Sequence, residues 1–233
     1  MAKGREIKLP LPAADDLFST QEERDEAKRE FIADIPLTEI SDFPDHPYKV
    51  KQDESMLELA ASIREKGVVN PALVRPKPEG GYEMVAGHRR KFASELAGKT
   101  NMPCIVRNLT DDEATIIMVD SNLQREKVLP SEKAFAYKMK LDAMKRQGQR
   151  TDLTSTPVEQ KLSKYSVEIL GEVVGESRSQ IQRYIRLTEL IPPILDMVDE
   201  GKIAMRPAVE LSYLPKEQQQ TLFDTMELED CTP

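Results

Sequence analysis

The stretch that decides the fold is Val-Ala-Gly-His-Arg-Arg-Lys-Phe-Ala at residues 85–93. The alternating apolar segment 82–85 leads into Gly87, and apolar residues at helical spacing follow, which predicts a strand, a glycine turn and a helix. Free backbone N–H groups at a helix start, beside the guanidinium groups of Arg89 and Arg90, favour an oligophosphate ligand. The alternative is a solvated surface, because arginines that begin a helix oppose its dipole.

The composition is typical of a helical, modular protein. Its 233 residues, 39% of them hydrophobic and 32% charged, allow one large or two small domains. No apolar run approaches the roughly 18 residues needed to span a bilayer, and the N-terminus lacks the apolar core of a signal peptide. We therefore expect a cytoplasmic protein with no membrane partner.

Charge and cysteine content narrow the range of ligands. The net charge of −8 argues against nucleic acid, but residues 125–166 carry ten Lys and Arg against five Asp and Glu. An acidic protein can therefore still present a basic face. Cys104, Cys231, His46 and His88 lack metal-ligand spacing, so we expect no zinc site, and we expect Cys104 to be a buried small hydrophobe.

The pattern of elements predicts three parts of the chain: a flexible arm at 1–34 with a helix from about residue 20 to 31, a small α+β domain at 35–127, and an all-α domain at 128–233. In the second part we predict a helix capped by Ser55 and strands at 68–74, 82–85 and 102–106. Thr110 and Ser131 are predicted to cap two further helices, and residues 149–157 to form a polar linker.

Residues 166–187 predict a helix-turn-helix. Ser166 and Ser177 are expected to cap its two helices, and Gly175 to supply a left-handed turn residue. The predicted inner positions are Ile169, Leu170, Val173, Ile181, Tyr184 and Ile185, and the predicted outer positions are Arg178, Ser179, Gln180, Gln182, Arg183 and Arg186. An outer face with three cations and no acid favours a DNA-reading helix over a purely structural helix pair.

A third motif, Asn-Leu-Gln-Arg-Glu, occupies residues 122–126. On a helix, Asn122 and Arg125 share a face and could hold phosphate oxygens or a hydrated cation. The alternative is a polar helix end.

These motifs, in this order, resemble those of the ParB family of chromosome and plasmid partition proteins. The likeness extends from about residue 35 to 214. Ile-Pro-Leu at 35–37 is similar to the start of that family's domain, Gly-Val-Val-Asn-Pro at 67–71 to its Gly-Ile-x-Gln-Pro strand, and Glu-Gly-Lys-Ile at 200–203 to the stretch beyond its recognition helix.

The resemblance implies a CTP-binding N-terminal domain with Mg²⁺ and a domain that recognises a centromere-like double-stranded DNA site. The family's CTP-binding positions correspond to Gly87, His88, Arg89, Arg90, Asn122, Arg125, Asn70 and Pro71, with Asn122 on the metal side. The corresponding DNA-binding positions are Ser177, Arg178, Ser179, Gln180, Arg183 and Arg206. Partners implied are a second copy in a homodimer that closes as a clamp and, through Lys3-Gly4-Arg5, a ParA-type ATPase.

Two departures from the family pattern affect catalysis. His88 and Ser121 stand where the family usually has Glu, and the second change removes a hard oxygen ligand for Mg²⁺. We therefore expect nucleotide binding with slow or altered CTP hydrolysis. The family's usual third, dimerising domain has no counterpart before residue 233, which would fit a short family member or a truncated chain.

The N-terminal fold type also resembles sulfiredoxin, an enzyme that repairs oxidised cysteine. Its Gly-Cys-His-Arg turn needs a thiolate before the His, and this chain has Gly87 there. We therefore expect no thiol chemistry. The remaining alternatives are a ParB-like transcriptional or conjugative-element regulator without a clamp cycle and a nuclease, which would need paired carboxylates.

Overall fold

A mixed β-sheet with helices packed around it forms the first half of the molecule. The computed structural model describes residues 30–44, 46–48, 52–123, 128–151 and 159–229. The strands in these ranges are β1 (Phe31–Pro36), β2 (Ile40–Ser41), β3 (Ala72–Pro76), β4 (Tyr82–Ala86) and β5 (Asn101–Val106). Their order across the sheet is β1-β5-β3-β4-β2.

Strand pairing in this sheet is both parallel and antiparallel. Strands β1 and β5 pair antiparallel, as do β3 and β4, whereas β3 with β5 and β2 with β4 are parallel. The predicted α+β class is therefore confirmed. The sheet begins at Phe31, four residues before the predicted domain start, because Phe31 to Asp34 continue the pairing with β5. The helix predicted from residue 20 falls almost wholly outside the described residues.

Two helices, α1 (Glu54–Lys66) and α2 (His88–Leu96), pack against each other beside the sheet. Met56, Ile63 and Ala93 form the core between them. The predicted cap Ser55 is wrong, because Asp53 occupies that position and accepts the Met56 N–H at 3.0 Å. The predicted strand 68–74 is likewise displaced to β3, since Pro71 has no N–H to pair.

A helical hairpin connects the sheet to the second half of the chain. Its helices are α3 (Asp111–Leu123) and α4 (Pro130–Thr151). Thr110 caps α3 as predicted: its hydroxyl accepts the Glu113 N–H, and the Glu113 carboxylate accepts the Thr110 N–H, which is a capping box.

Two ion pairs cross this hairpin, Arg146–Asp112 at 2.7 Å and Lys140–Asp120. Asp112 and Lys140 are buried. Val85 of β4 packs with Met118 of α3 in one core cluster, so the hairpin is fixed to the sheet through α3.

The predicted helix-turn-helix is formed by α5 (Glu159–Val174) and α6 (Arg178–Arg186). Leu170 and Ile181 pack with Tyr137 and Leu141 of α4, so α4 supports both helices. Gly175, at φ +69°, and the Ser177 cap, which accepts the Gln180 N–H, are as predicted.

Three local predictions in this region are wrong. Ser166 is buried within α5 rather than capping it, because the helix begins seven residues earlier. Val173, placed on the inner face, is 60% exposed. Ser131 does not cap α4; it lies in the first turn and bonds to Asp199 through its N–H and its hydroxyl.

The described chain ends in the helices α7 (Pro192–Asp199), α8 (Met205–Leu211) and α9 (Lys216–Glu229). The fully buried side chain of Gln219 joins them: its oxygen accepts the Ile191 N–H, and its nitrogen donates to the carbonyls of Glu189 and Leu214. In the described ranges, no helix combines the length and the apolarity that crossing a membrane requires.

Candidate functional site

The turn between β4 and α2 has a shape that only glycine fits. Gly87 caps α2 with φ +120°, in the region that L-residues avoid. A Cβ at this position would lie 2.8 Å from the Ala72 Cβ on β3. The strand, glycine turn and helix predicted from residues 85–93 are therefore confirmed, and the backbone of β3 closely approaches the start of α2.

Arg90 joins the start of α2 to the loop before β3. Its Nη1 donates to the carbonyl oxygens of Asn70 at 2.6 Å and Pro71 at 2.7 Å. Burial lowers the pKa of its guanidinium. In the part of the chain that the structure describes, no carboxylate pairs with Arg90. Three of the predicted nucleotide residues, Asn70, Pro71 and Arg90, are therefore in direct contact.

Arg89 points instead toward the start of α1. Its Nη2 donates to the Ser55 hydroxyl at 2.7 Å and lies 3.9 Å from the Asp53 Oδ1. Its side chain is 35% exposed. The two arginines of the turn thus have different partners, neutral carbonyls for Arg90 and a hydroxyl with a carboxylate for Arg89.

His88 is buried, and its ring lies 3.8 Å, centroid to centroid, from that of His46. Both rings line a cavity of about 300 Å³, together with Tyr48. Lys91 and Asp42, which pair at 2.7 Å, line the same cavity. His88 is therefore packed into the protein next to the turn rather than directed outward from it.

Asn122 is buried near the end of α3. Its amide donates to the Met118 carbonyl at 2.8 Å, and the neighbouring Ser121 hydroxyl donates to the same oxygen at 2.9 Å. Arg125, the other predicted residue of this motif, lies outside the described residues. The amide of Asn122 therefore bonds within its own helix, and its role as a ligand stays a prediction.

Cys104 lies in β5, and its side chain is fully buried, as predicted. Burial raises its pKa to about 11. Such a thiol remains protonated at neutral pH and is a poor nucleophile.

The recognition surface predicted for α6 is largely solvent-facing. Ser177, Arg178, Ser179 and Arg183 are exposed, and Gln180 is half-buried. A groove of about 590 Å³ runs between α6 and α8 and brings together Gln180 and Arg183 with Arg206. Cations from two helices thus share one surface, as phosphate and base-edge contacts require.

Arg186 does not belong to this surface. Its guanidinium donates to the Ser212 hydroxyl at 3.0 Å and the Ser212 carbonyl at 2.7 Å, and it stacks over the Tyr213 ring at 4.1 Å. The prediction of an outer position is therefore wrong. The helical spacing could not reveal it, because the partners come from the turn after α8.

Two further contacts at these sites escaped sequence reasoning. Asp53, a helix cap, lies beside Arg89. Lys133 of α4 donates to Glu176 in the turn of the helix-turn-helix at 2.8 Å. Burial is the largest single influence on the Lys133 pKa and acts to lower it, but the interactions with Glu176 and Tyr184 together outweigh it and raise the pKa. In the sequence, both residues are indistinguishable from ordinary surface charges, so these contacts could be found only from the structure.

Two family models match the chain, and together they cover most of it. The ParB N-terminal domain matches residues 21–123, and the ParB HTH domain matches residues 157–232. The chain therefore belongs to the ParB family.

Curated relatives agree with this assignment. A probable chromosome 1-partitioning protein ParB from Deinococcus radiodurans is 36% identical over 83% of this chain and 60% of its own length. A nucleoid occlusion protein from Geobacillus thermodenitrificans is 32% identical over 88% of this chain and 68% of its own. The chain thus spans about three fifths of the length of the first of these relatives.

Solved structures of the family are also similar. A Pnob8-like ParB-N domain has a TM-score of 0.51 at 14% identity, covering 88% of this chain and 86% of that one, which supports the fold alone. A C-terminally truncated ParB from Caulobacter crescentus, solved with CTP-γ-S, is 28% identical with a TM-score of 0.38, covering 79% of this chain and 93% of that one.

Proposed function

We propose that this protein is a CTP-responsive, sequence-specific DNA-binding protein of a chromosome or plasmid partition system. It binds a centromere-like site and closes over DNA as a homodimeric clamp. The observation that carries the proposal is the contact of Arg90 with the carbonyls of Asn70 and Pro71. The family resemblance implies that Arg90 meets the triphosphate and that Asn70 and Pro71 lie near the cytosine. The contact would therefore join the two ends of the proposed nucleotide site.

The residues at the turn fit a triphosphate. Gly87 caps α2 without a side chain, and the first-turn amides with Arg89 and Arg90 offer positive potential. Arg90 has only neutral acceptors among the described residues, so its charge is available to a phosphate oxygen. When bound, the nucleotide supplies a concentrated negative charge, and this chain's residues hold and orient it.

The residues near Asn122 fit Mg²⁺ less well. Ser121 and Asn122 offer a hydroxyl and an amide, and the neighbouring Asp120 is already paired with Lys140. Mg²⁺ commonly binds through substrate phosphates and keeps several waters. We infer that the ion would arrive with the nucleotide and that hydrolysis would be slow.

Helix α3 links the two halves of the molecule. It carries Asn122, packs on the sheet and is tied to α4 by two ion pairs, while α4 supports the helix-turn-helix. Nucleotide that contacts both the α2 turn and α3 would fix their relative position. That constraint would reach the DNA-binding helices through α4.

DNA recognition is assigned to Ser177, Arg178, Ser179, Gln180, Arg183 and Arg206. Lys3-Gly4-Arg5, proposed to meet a ParA-type ATPase, lies outside the described residues. Both assignments remain part of the proposal.

A pair of variants tests the two activities separately. We expect Arg90→Ala to abolish CTP-dependent closure while specific DNA binding is retained, and Arg183→Ala to do the reverse. The measurements are isothermal titration with CTP, ATP, GTP and UTP in the presence of Mg²⁺, and binding of a DNA site selected from a random library. Circular dichroism melting of each variant provides the control for folding. The absence of nucleotide affinity with Mg²⁺ and selected DNA both present would contradict the proposal.

A DNA-bound regulator without a clamp cycle is the second candidate. The observation behind it is the match to a nucleoid occlusion protein, a relative whose name is not that of a partition protein. Crosslinking between engineered cysteines of two protomers on closed circular DNA discriminates the two: CTP dependence supports the clamp, and equal crosslinking with and without CTP supports the regulator.

A further inference from the structure

Arg89 and Arg90 are held in different ways, and the difference has a consequence for binding. Arg90 bonds to two neutral carbonyl groups, whereas Arg89 is held by a chain of contacts that ends on a carboxylate. We propose that the Asp53 carboxylate, a group of the protein itself, competes with nucleotide phosphate for Arg89 and so weakens nucleotide binding. This inference rests on the proposed function.

The contacts form a relay from α2 to α1. Arg89 Nη2 donates to the Ser55 hydroxyl at 2.7 Å, and that hydroxyl donates to the Asp53 Oδ1, also at 2.7 Å. The direct distance from Arg89 Nη2 to the Asp53 Oδ1 is 3.9 Å. A phosphate oxygen bound to this guanidinium would therefore lie close to a second anion.

Asp53 carries a full negative charge at neutral pH. The hydrogen bond from Ser55 is the largest influence and lowers the Asp53 pKa. Desolvation, the second largest, opposes it, and the Met56 N–H and Arg89 lower the pKa further. Like charges close together disfavour each other, although water screens this pair because Asp53 is exposed.

The capping of α1 by Asp53 does not explain why this residue carries a charge. Asp53 caps that helix by accepting the Met56 N–H at 3.0 Å. Asn and Ser serve as N-caps about as well as Asp does. The same Oδ1 that caps α1 is the carboxylate atom nearest Arg89. The cap needs this oxygen but not its negative charge, whereas the competition with phosphate needs the charge.

The variant Asp53→Asn separates these two roles, because it keeps the cap and removes the charge. We expect it to bind CTP about three to ten times more tightly at low salt, with a difference that shrinks toward 1 M salt as screening increases. Its melting temperature should match that of the unaltered protein. If Asp53→Asn proves unstable, Asp53→Ser provides a second uncharged cap for the same titration.

Asp42→Asn is the matched control. It removes one negative charge, as Asp53→Asn does. Asp42, however, pairs with Lys91 rather than with Arg89, although Lys91 is on the same helix. We expect the affinity of this variant for CTP to change by less than about twofold. An equal gain in both variants would show a general effect of net charge and overturn the inference.

Other outcomes separate the inference from the proposed function. Unaltered protein that binds CTP, with Asp53→Asn binding equally well, overturns the inference alone. Weaker binding by Asp53→Asn only when Mg²⁺ is present also overturns it, since Asp53 would then act as a metal ligand. Failure of the unaltered protein to bind any nucleotide overturns both.

Discussion

At the scale of single residues, the start of α2 depends on close approach. Gly87 sits where a side chain would collide with Ala72, and Arg90 in the first turn of α2 bonds to the loop before β3. Neither contact tolerates much displacement. The residues that shape the turn between β4 and α2 therefore also fix the start of α2 against β3 and the loop before it.

Gly87→Ala should destabilise the protein by about 2–4 kcal/mol, because it adds both a strained φ and a collision at 2.8 Å. Gly98→Ala is the matched control, with φ +72° but nothing within 4 Å of the added Cβ. It should cost only about 1 kcal/mol. Urea unfolding followed by circular dichroism measures both, and equal losses would contradict the steric argument.

The buried thiol of Cys104 predicts a pH dependence of stability. Its folded pKa is about 11, above the unfolded value near 9. The thiol therefore stabilises the fold below about pH 9, and this contribution of roughly 1–2 kcal/mol is lost as pH rises from 9 to 11.

Cys104→Ala removes this ionisable group, so its stability should fall less steeply across pH 9–11 than that of the unaltered protein. Chemical unfolding at several pH values measures both slopes. The substitution leaves a cavity in the sheet that changes the absolute stability, so only the slopes are compared. Parallel slopes would contradict the assignment.

At the scale of elements, the sequence predicted several turns and caps correctly but misplaced the start of a helix. Gly87, Thr110, Gly175 and Ser177 were predicted correctly, because a turn or a cap depends on a few adjacent residues. Ser166 was misassigned because α5 begins before the pattern that suggested it.

At the candidate sites, too, features set by neighbouring residues could be predicted, and features set by residues far along the chain could not. The α2 turn and the exposed face of α6 follow from periodicity. Arg186 was misplaced because Ser212 and Tyr213, far along the chain, determine where it points. Asp53 was missed because its proximity to Arg89 depends on the packing of α1 against α2.

Helix α6 provides a prediction at the scale of elements. Ser177→Ala removes the hydroxyl that accepts the Gln180 N–H at 3.2 Å and should destabilise the protein by about 1 kcal/mol. Ser177→Asp retains a capping oxygen and should cost much less. Thermal unfolding of the two variants measures this, and equal losses would mean that the cap contributes little.

At the scale of the whole molecule, the α3–α4 hairpin determines how the sheet and the helical half are joined. Of its two crossing ion pairs, Lys140–Asp120 contains a lysine whose side chain is only 4% exposed. Asp120 is 38% exposed, but its removal leaves the buried Lys140 ammonium without its carboxylate, which costs more than an exposed pair contributes.

Asp120→Ala should therefore destabilise the protein by about 3 kcal/mol. The control is Asp142→Ala, which breaks the exposed pair with Lys145 and should cost less than about 0.5 kcal/mol. Urea unfolding monitored by circular dichroism compares them. Similar effects of the two substitutions would indicate that Lys140 finds another partner or reaches solvent.

Gln219 has a consequence for attempts to shorten or recombine this chain. Its side chain bonds to the carbonyls of Glu189 and Leu214 and to the amide of Ile191. Helix α9 therefore satisfies hydrogen bonds of the segments around residues 189–191 and 214. A fragment that stops before residue 219 would leave those groups buried and unbonded. Swapping DNA-reading modules between relatives should therefore place the crossover beyond α9, so that the module and its last helix are inherited together.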